Sequence, residues 1–592
     1  MLDVEDNIAE KLSVSGRTWQ LREAELRQVM AISQQHGLSQ NLAQLLVVRG
    51  VALEDVEDFL NPSLKNSLPD PSHLLDMDKA VARIAQAINA RETIAIWGDY
   101  DVDGATSSAL LRRYFRALGM EPLVHIPDRM KEGYGLNAPG LLALRARGAA
   151  LAISVDSGTL SFEPIEKAVE AGLDVIVVDH HLGEAKRPKA CALVNPNRLD
   201  ETSPHRHLAA VGVAFLLLVA LNKKLREEGF FTDIKEPDLR QWLDIVALGT
   251  ICDVVPLVGV NRALVAQGLK VMGGRGNVGM RAVMDAAGLD ERPGVYHAGY
   301  VIGPRINAGG RVGKSDLGVH LLSTEDPAEA VRIAHELNQY NAERKAIESL
   351  IQQEADALAD AMDDSFPIMV VAGKGWHSGV IGIVAGRLKE RFRKPVAVIG
   401  IEGGIGKASA RSVSGMDFGA AVIAAKEEGL LLAGGGHAMA AGFTVAEEKI
   451  PALTEFLCTR LSSQVHHLAR EHIMPVDLAL SIGGATPETA MEIEKMGPFG
   501  QGNFSVRVML QSVVNLRPER VGEHHVKTLL THRSSNAKLS AIAFRCAENP
   551  LGQAILNSRG QEIDVVGQLR LQEWQGRPQM SLMIEDIRLG GQ

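Results

Sequence analysis

The sequence predicts a multidomain α/β protein: a parallel sheet covered by helices, a long bridging helix, a second α/β block and a small C-terminal β-barrel. Three observations carry this. From Ala80 to about Pro256, strand-length apolar runs alternate with helical patterns. Residues 327 to about 362 hold an uninterrupted helical pattern, and the last hundred residues hold about five short β-like runs. At 592 residues the chain also exceeds what one hydrophobic core organises.

Residues 1–75 read as a polar helical segment with a proline-rich exit at Pro62, Pro69 and Pro71. The runs Thr93–Trp97, Leu123–Ile126, Leu151–Val155 and Val175–Val178 are near-continuously apolar, the signature of strands buried on both faces of a parallel sheet. This block is expected to span residues 76–325. Within it, the apolar stretch Leu208–Leu221 is 14 residues long, short of the roughly 20 that cross a bilayer, and reads as a buried helix.

Asp326-Pro327 opens the long helix with a capping residue and a proline at the first helical position. Its sparse apolar positions are Val331, Leu337, Ile347, Ile351 and Leu358. Two readings stay open for residues 326–365: a helix bridging domains through solvent, or an amphipathic helix of one domain. A glycine-rich α/β block follows over 366–465. Beyond it the runs Val506–Leu516, His525–Thr531, Leu539–Arg545, Glu562–Leu571 and Gln579–Ile587 suggest an OB-type barrel over 466–592.

A hydrophobic content of 46% with 23% charged residues is ordinary for a globular protein. Cys191, Cys252, Cys458 and Cys546 form no CxxC pair, which argues against a thiolate zinc site and fits a reducing cytoplasm. The N-terminus lacks the basic-then-apolar pattern of a signal peptide, and no membrane association is expected. A net charge of −10 does not exclude nucleic acid, since phosphate binding depends on local patches and bound cations. From Ser505 to Gln592 there are 11 Lys+Arg against 8 Asp+Glu, so this end is locally basic.

Four segments carry the chemistry. Asp99, Asp101 and Asp103 follow the first apolar run, Asp156 follows Ile153-Ser-Val, and Asp179, His180 and His181 follow Val175–Val178. Asp253 ends a helical apolar segment. In an open parallel sheet, strand ends deliver such groups to one crevice. Carboxylates packed together repel unless cations neutralise them. Aspartate with histidine and no thiolate suits Mn²⁺ or Mg²⁺, and two such ions about 3.5–4 Å apart serve phosphoester hydrolysis. Taken singly, each acid reads equally as a turn or cap residue. The three alternating aspartates lack the EF-hand spacing and its closing glutamate.

These motifs, in this order, resemble the DHH phosphoesterase superfamily, whose naming triplet stands here as Asp179-His180-His181. The form Gly98-Asp-Tyr-Asp-Val-Asp-Gly104 resembles the RecJ family of single-strand-specific exonucleases within it. So do Gly303–Arg311, Leu337-Asn338 with Asn341 and Arg344, Gly375–Gly379, Ser409–Arg411, Gly434–His437 and Gly497–Asn503. The resemblance covers roughly residues 60–592 and implies a DHH domain, a bridging helix, a DHH-associated domain and an OB-fold. It implies metal ligands at Asp101, Asp103, Asp156, His180 and Asp253, with Asp156 bridging two ions and His181 polarising the phosphate or completing a metal shell. Asp99 and Asp179 are expected as supporting residues, either of which could ligate.

For the strand itself, the expected contacts are Arg129, Ser409 and Arg411 on a 5′-phosphate. Arg305, Asn307 and Arg311 are expected along the path, and His437 on a glycine-rich turn near a phosphate. Phe499, Phe504 and Trp574 are candidates for base stacking or for core. The implied activity is 5′→3′ degradation of single-stranded DNA to mononucleotides in repair and recombination, by a monomer beside a helicase and a single-stranded-DNA-binding protein. The alternatives are a DHH enzyme of dinucleotides or cyclic dinucleotides, and a scaffold without catalysis. The C-terminal barrel argues against the first and the filled ligand positions against the second.

Overall fold

A computed structural model describes residues 12–128, 131–362, 366–462, 464, 473–574 and 577–590. The chain divides into two compact units, one of residues 70–253 and 268–469, the other of residues 1–69, 254–267 and 470–592.

The first unit is built on a five-stranded, all-parallel sheet. In spatial order its strands are Leu123–His125, Thr93–Trp97, Ala149–Val155, Asp174–Val178 and Ala192–Val194. Four are the expected apolar runs, displaced by at most two residues. The fifth, Ala192–Val194, is too short for a periodicity to reveal. The strands other than the half-buried edge strand Leu123–His125 are almost wholly buried, since helices cover both faces. Leu208–Leu221 lies largely in one such helix, Ala210–Glu227, and is buried nearly throughout, as its composition requires. Among the described residues no helix is long and apolar enough to cross a membrane.

Pro327–Asp360 forms one 34-residue helix, capped by Asp326, whose side chain accepts from the Ala328 amide at 2.8 Å. It does not stand in solvent. One stripe is buried along its length: Ala330, Ile333, Ala334, Leu337, Asn341, Arg344, Glu348, Ile351, Ala355 and Ala359. The expected apolar face is corrected by this, for Val331 and Leu358 are 49% and 45% exposed. Alanines let neighbouring elements approach closely, and a buried polar trio fills the middle. Arg344 pairs with Glu348 and donates to Asn341 Oδ1 at 3.0 and 3.3 Å, while Glu348 also pairs with Arg387. The charges are tolerated because each is paired and hydrogen-bonded.

The second α/β block is a mixed sheet in the order Ala433–His437, Ala440–Ala446, Ile405–Arg411, Val396–Glu402, Met369–Lys374. Its last pair is parallel and the others are antiparallel. Helices Phe418–Glu427 and Ile450–Ser462 pack on one face, and Ile381–Phe392 packs on the other with the end of the long helix.

In the second unit, Val508–Asn515, Glu562–Trp574, Arg577–Leu589, Ser535–Ala543 and His525–His532 pair in sequence around a ring. Val514 and Asn515 close it against Thr531 and Leu530. This is a five-stranded closed barrel with helix Pro550–Asn557 between its third and fourth strands in chain order, as an OB-fold requires. Residues 12–69 do not stand apart as a helical segment. Thr18–Leu21 is a strand that pairs in parallel with Ile473–Val476. Val29, Ile32, Leu42, Leu45, Leu46 and Val56 share one core with the barrel residues Leu510, Val526, Leu569 and Ile587. Leu46→Ala is therefore expected to destabilise the barrel itself by about 2–5 kcal/mol, as a lower denaturant midpoint for barrel unfolding.

Candidate metal centre

Chain order in the parallel sheet reverses between Thr93–Trp97 and its two neighbours, which leaves a crevice at the carboxyl ends of these strands. Asp99, Asp101 and Asp103 leave one of them, Asp156 the next, and Asp179–His181 the third. Asp101 caps helix Val102–Ala117 by accepting from the Gly104 amide at 3.0 Å. A side chain at Gly104 would lie 2.6 Å from the Asp99 backbone, so glycine is what lets this helix start directly beneath the acid-bearing loop. Asp156 sits at φ 61°, an uncommon left-handed conformation, with its amide donated to Val178 O at 3.0 Å. Asp253 ends helix Leu243–Cys252, which lies close because Gly249 has no side chain to strike Thr106 and Asp103.

The ligand atoms meet in three overlapping groups, each within 4.8 Å: Asp99 with Asp101 and Asp156; Asp156 with His180 and His181; and Asp103 with His180 and Asp253. His180 Nε2 stands 3.3 Å from Asp156 Oδ1, 3.6 Å from Asp253 Oδ2 and 3.9 Å from Asp103 Oδ2. Asp156 Oδ1, His180 Nε2 and Asp253 Oδ2 are buried with no hydrogen-bond partner. Burial and the neighbouring carboxylates push the Asp103 carboxyl up to about 7 and that of Asp253 to about 9, and raise Asp156 well above its ordinary range. Orphaned ligand atoms among crowded acids, with imidazole and no thiolate, fit divalent cations.

The two undecided acids separate here. Asp99 contributes a ligand atom to one of the three groups. Asp179 is consumed by hydrogen bonds from Thr159 N and Oγ1, the His180 and His181 amides, and His181 Nδ1 at 2.7 Å. Against the cost of burial, these donors hold its carboxyl far below the usual range. Burial likewise disfavours a charged His181, but the Asp179 bond raises its imidazole to about 9. His180 is pushed down to about 4 by burial and by His181, so its imidazole stays neutral, the form that binds metal. Asp103 accepts from the Ala210 and Val211 amides at 2.7 and 2.9 Å, at the start of helix Ala210–Glu227.

Residues that sequence reading passes over complete the frame. Asn195 Nδ2 donates to Thr159 Oγ1 and His181 O, and Asn197 Nδ2 to His180 O. Tyr134 Oη lies 3.4 Å from both Asp156 O and His181 Nε2. Turn asparagines and a lone tyrosine carry no spacing signal; only their position in the fold marks them.

In the same unit lies a cleft of 680 Å³, lined by Arg311, Ser378, Lys407, Ser409, Arg411 and the Gly434–Gly436 backbone among others. Arg411 donates to Ala410 O at 2.9 Å and Ser409 Oγ at 3.3 Å; Arg311 donates to Gly379 O at 2.8 Å. A Cβ at Gly310 would lie 2.7 Å from Tyr100 O, so the helix end bearing Arg311 rests on the Asp99–Asp101 loop. Gly434–Gly436 belong to a strand rather than a turn, and at Gly436 (φ 152°) a Cβ would strike Ala440 and Ala441. His437 ends that strand, exposed, beside this cleft lining. Arg305 is committed to Asn338 Oδ1 at 2.9 Å and Val301 O at 2.6 Å, bracing its helix on the long helix, and Asn307 is half-buried on the same helix as Arg305. Arg129 lies outside the described residues. Phe499 packs on the barrel core, Phe504 is exposed, and the Trp574 side chain also falls outside the described residues.

Residues 93–250 match the DHH family N-terminal domain, 364–463 the DHHA1 domain and 476–586 the RecJ OB domain. The chain is 34% identical over 565 residues to the single-stranded-DNA-specific exonuclease RecJ of Dickeya dadantii, covering 92% of this chain and 95% of that one. It belongs to the RecJ family. The RecJ of Bacillus subtilis is 33% identical over 575 residues, covering 96% and 70% of the two chains. Among solved structures, RecJ from Thermus thermophilus in complex with Mn²⁺ superimposes with a TM-score of 0.79 at 27% identity, covering 97% of this chain and 80% of that one. The corresponding RecJ complex with Mg²⁺ gives 0.74 at 26% identity, over 97% and 79%.

If repulsion among these acids is relieved by cations, Mn²⁺ should raise the melting temperature. A concentration 100 times the Kd is worth about 2.7 kcal/mol per site. Differential scanning calorimetry should show this rise in the wild type and a smaller one in Asp253→Ala. Equal rises in both would remove Asp253 from the metal centre.

Proposed function

We propose that this chain is a divalent-metal-dependent exonuclease that degrades single-stranded DNA from the 5′ end to mononucleotides, in DNA repair and recombination. The observation that carries the reading is a cation-fitting acid cluster whose loop supports the arginine of a basic, glycine-lined cleft. Two divalent cations, Mn²⁺ or Mg²⁺, would neutralise charge building on the phosphate and make water easier to deprotonate.

Asp101, Asp103, Asp156, His180 and Asp253 are assigned as their ligands, with Asp99 added on its geometry and Asp156 shared between ions. Asp156 has the position for sharing, since its carboxylate belongs to two of the three ligand groups. His181, whose Nδ1 is held by Asp179, is assigned to polarise the scissile phosphate or to complete a metal shell. Arg411, Ser409 and Arg129 are assigned to the 5′-phosphate, Arg311, Asn307 and Arg305 to the strand path, and His437 to a neighbouring phosphate. The residues of 76–325 form the catalytic domain in this reading, 326–365 the bridging helix, 366–465 the associated domain and 466–592 the strand-binding barrel. A single-stranded-DNA-binding protein and a helicase are its proposed partners, the working form is a monomer, and the site of action is the cytoplasm. The 5′→3′ direction rests on the family resemblance.

A strand labelled at either end, with a matching duplex and Asp156→Ala as controls, tests the reading in Mn²⁺. Expected is release of 5′ mononucleotides from the single strand alone, reduced at least 10³-fold in the variant, on the scale of losing a catalytic metal ligand (~4 kcal/mol). Hydrolysis confined to dinucleotides would replace this reading with a small-substrate one. Arg411→Ala should abolish any preference for a 5′-phosphorylated over a 5′-hydroxyl strand; an unchanged ratio would remove Arg411 from phosphate recognition.

A further inference from the structure

Tyr296 and Tyr300 are 65% and 74% exposed, yet their rings stack on each other with centroids 5.4 Å apart and planes inclined by 23°. They flank the start of a π-helical turn, His297–Ile302, that runs directly into helix Gly303–Val312. Residues four apart lie on the same face of a helical turn, which brings the two rings together.

The turn is fixed from beneath. Ala298 O accepts from Cys252 Sγ at 3.6 Å, and a Cβ at Gly303 would lie 2.5 Å from that sulfur. Cys252 immediately precedes Asp253, so the turn packs on the helix that delivers a proposed metal ligand. Beside the rings, His297 accepts the Gly294 amide on Nδ1, sets Nε2 3.0 Å from Glu291, and meets Tyr296 edge-on at 5.6 Å. The pair is thus a braced aromatic surface left in water, at the head of the helix whose other end places Arg311 in the basic cleft.

Resting on the exonuclease reading above, we propose that Tyr296 and Tyr300 form a stacking platform for a base of the single strand beyond the nucleotide at the scissile phosphate. Packed helix axes lie about 8–10 Å apart, which sets the platform one helix away from Asp253 rather than at the metal centre itself. Glu291 disfavours a phosphate here, whereas an aromatic face accepts any base without regard to sequence.

Binding is read by fluorescence anisotropy in a cleavage-deficient Asp156→Ala background, using 5′-phosphorylated (dT)₂₀ and an abasic strand of equal length. Tyr296→Ala/Tyr300→Ala should weaken (dT)₂₀ binding about tenfold and leave the abasic strand unchanged. Tyr296→Phe/Tyr300→Phe, which keeps both rings, should restore binding. Equal losses on both strands, or none on (dT)₂₀, would overturn the platform. The Asp156-intact protein is assayed on single strands in parallel. If it degrades none, the exonuclease reading itself falls; if it does and the alanine variant binds normally, only the platform falls.

Discussion

Asp99, Asp101, Asp103, Asp156 and Asp253 place five carboxylates around two imidazoles in a space where several ligand atoms lie under 4 Å apart. Carboxylates whose ligand atoms lie within 4.8 Å of one another, partly shielded from water, repel by several kcal/mol. The surrounding fold is arranged to hold that repulsion in place. Asp103 is clasped by two amides at a helix N-terminus, where the helix dipole favours negative charge. Asp179 gathers five donors and thereby fixes the backbone of both histidines and the ring of His181. A sheet whose strand order reverses at this point concentrates the acids, and their surplus of negative charge is what makes the site select cations.

Close approach is the second theme, and it is achieved by removing side chains. Gly104, Gly249 and Gly310 each stand where a Cβ would collide with the acid loops or the elements behind them. In the associated block, Gly436 and Gly382 do the same beside Ala441 and Ser409. The long helix ties these parts together through its alanine stripe and the Arg344–Glu348–Arg387 pairing. A fully solvated helix would leave the associated block free to drift from the acids; a helix with one stripe buried along its whole length does not.

Much of this is legible in the residues. Uninterrupted Val/Ile runs mark buried parallel strands, and an Asp or His after such a run marks the crevice, so the parallel sheet and the members of the metal cluster can be read in advance. Asp99 and Asp179 cannot be told apart that way, because both follow apolar strands and differ only in where Thr159 and the His181 ring lie. Of the packed face of the long helix only Leu337 and Ile351 are read in advance, because most of the rest is alanine and paired polar side chains, which a search for large apolar residues passes over. The local sequence around Arg305 likewise gives no sign of its partners, Asn338 Oδ1 and Val301 O. The membership of the N-terminal helices in the barrel core leaves no local trace, since the pairing partners are far apart along the chain.

That separation sets an order of events during synthesis. Strand Thr18–Leu21 emerges early, but its partner Ile473–Val476 follows about 450 residues later, some 20–90 s at ordinary translation rates. The sheet-bearing unit between them is complete by then and can fold while Val29, Leu45 and Leu46 still await their barrel. Until then the nascent chain carries these apolar side chains without their barrel partners. This makes the interval, rather than the finished fold, the period of greatest exposure to misassociation and to chaperone capture.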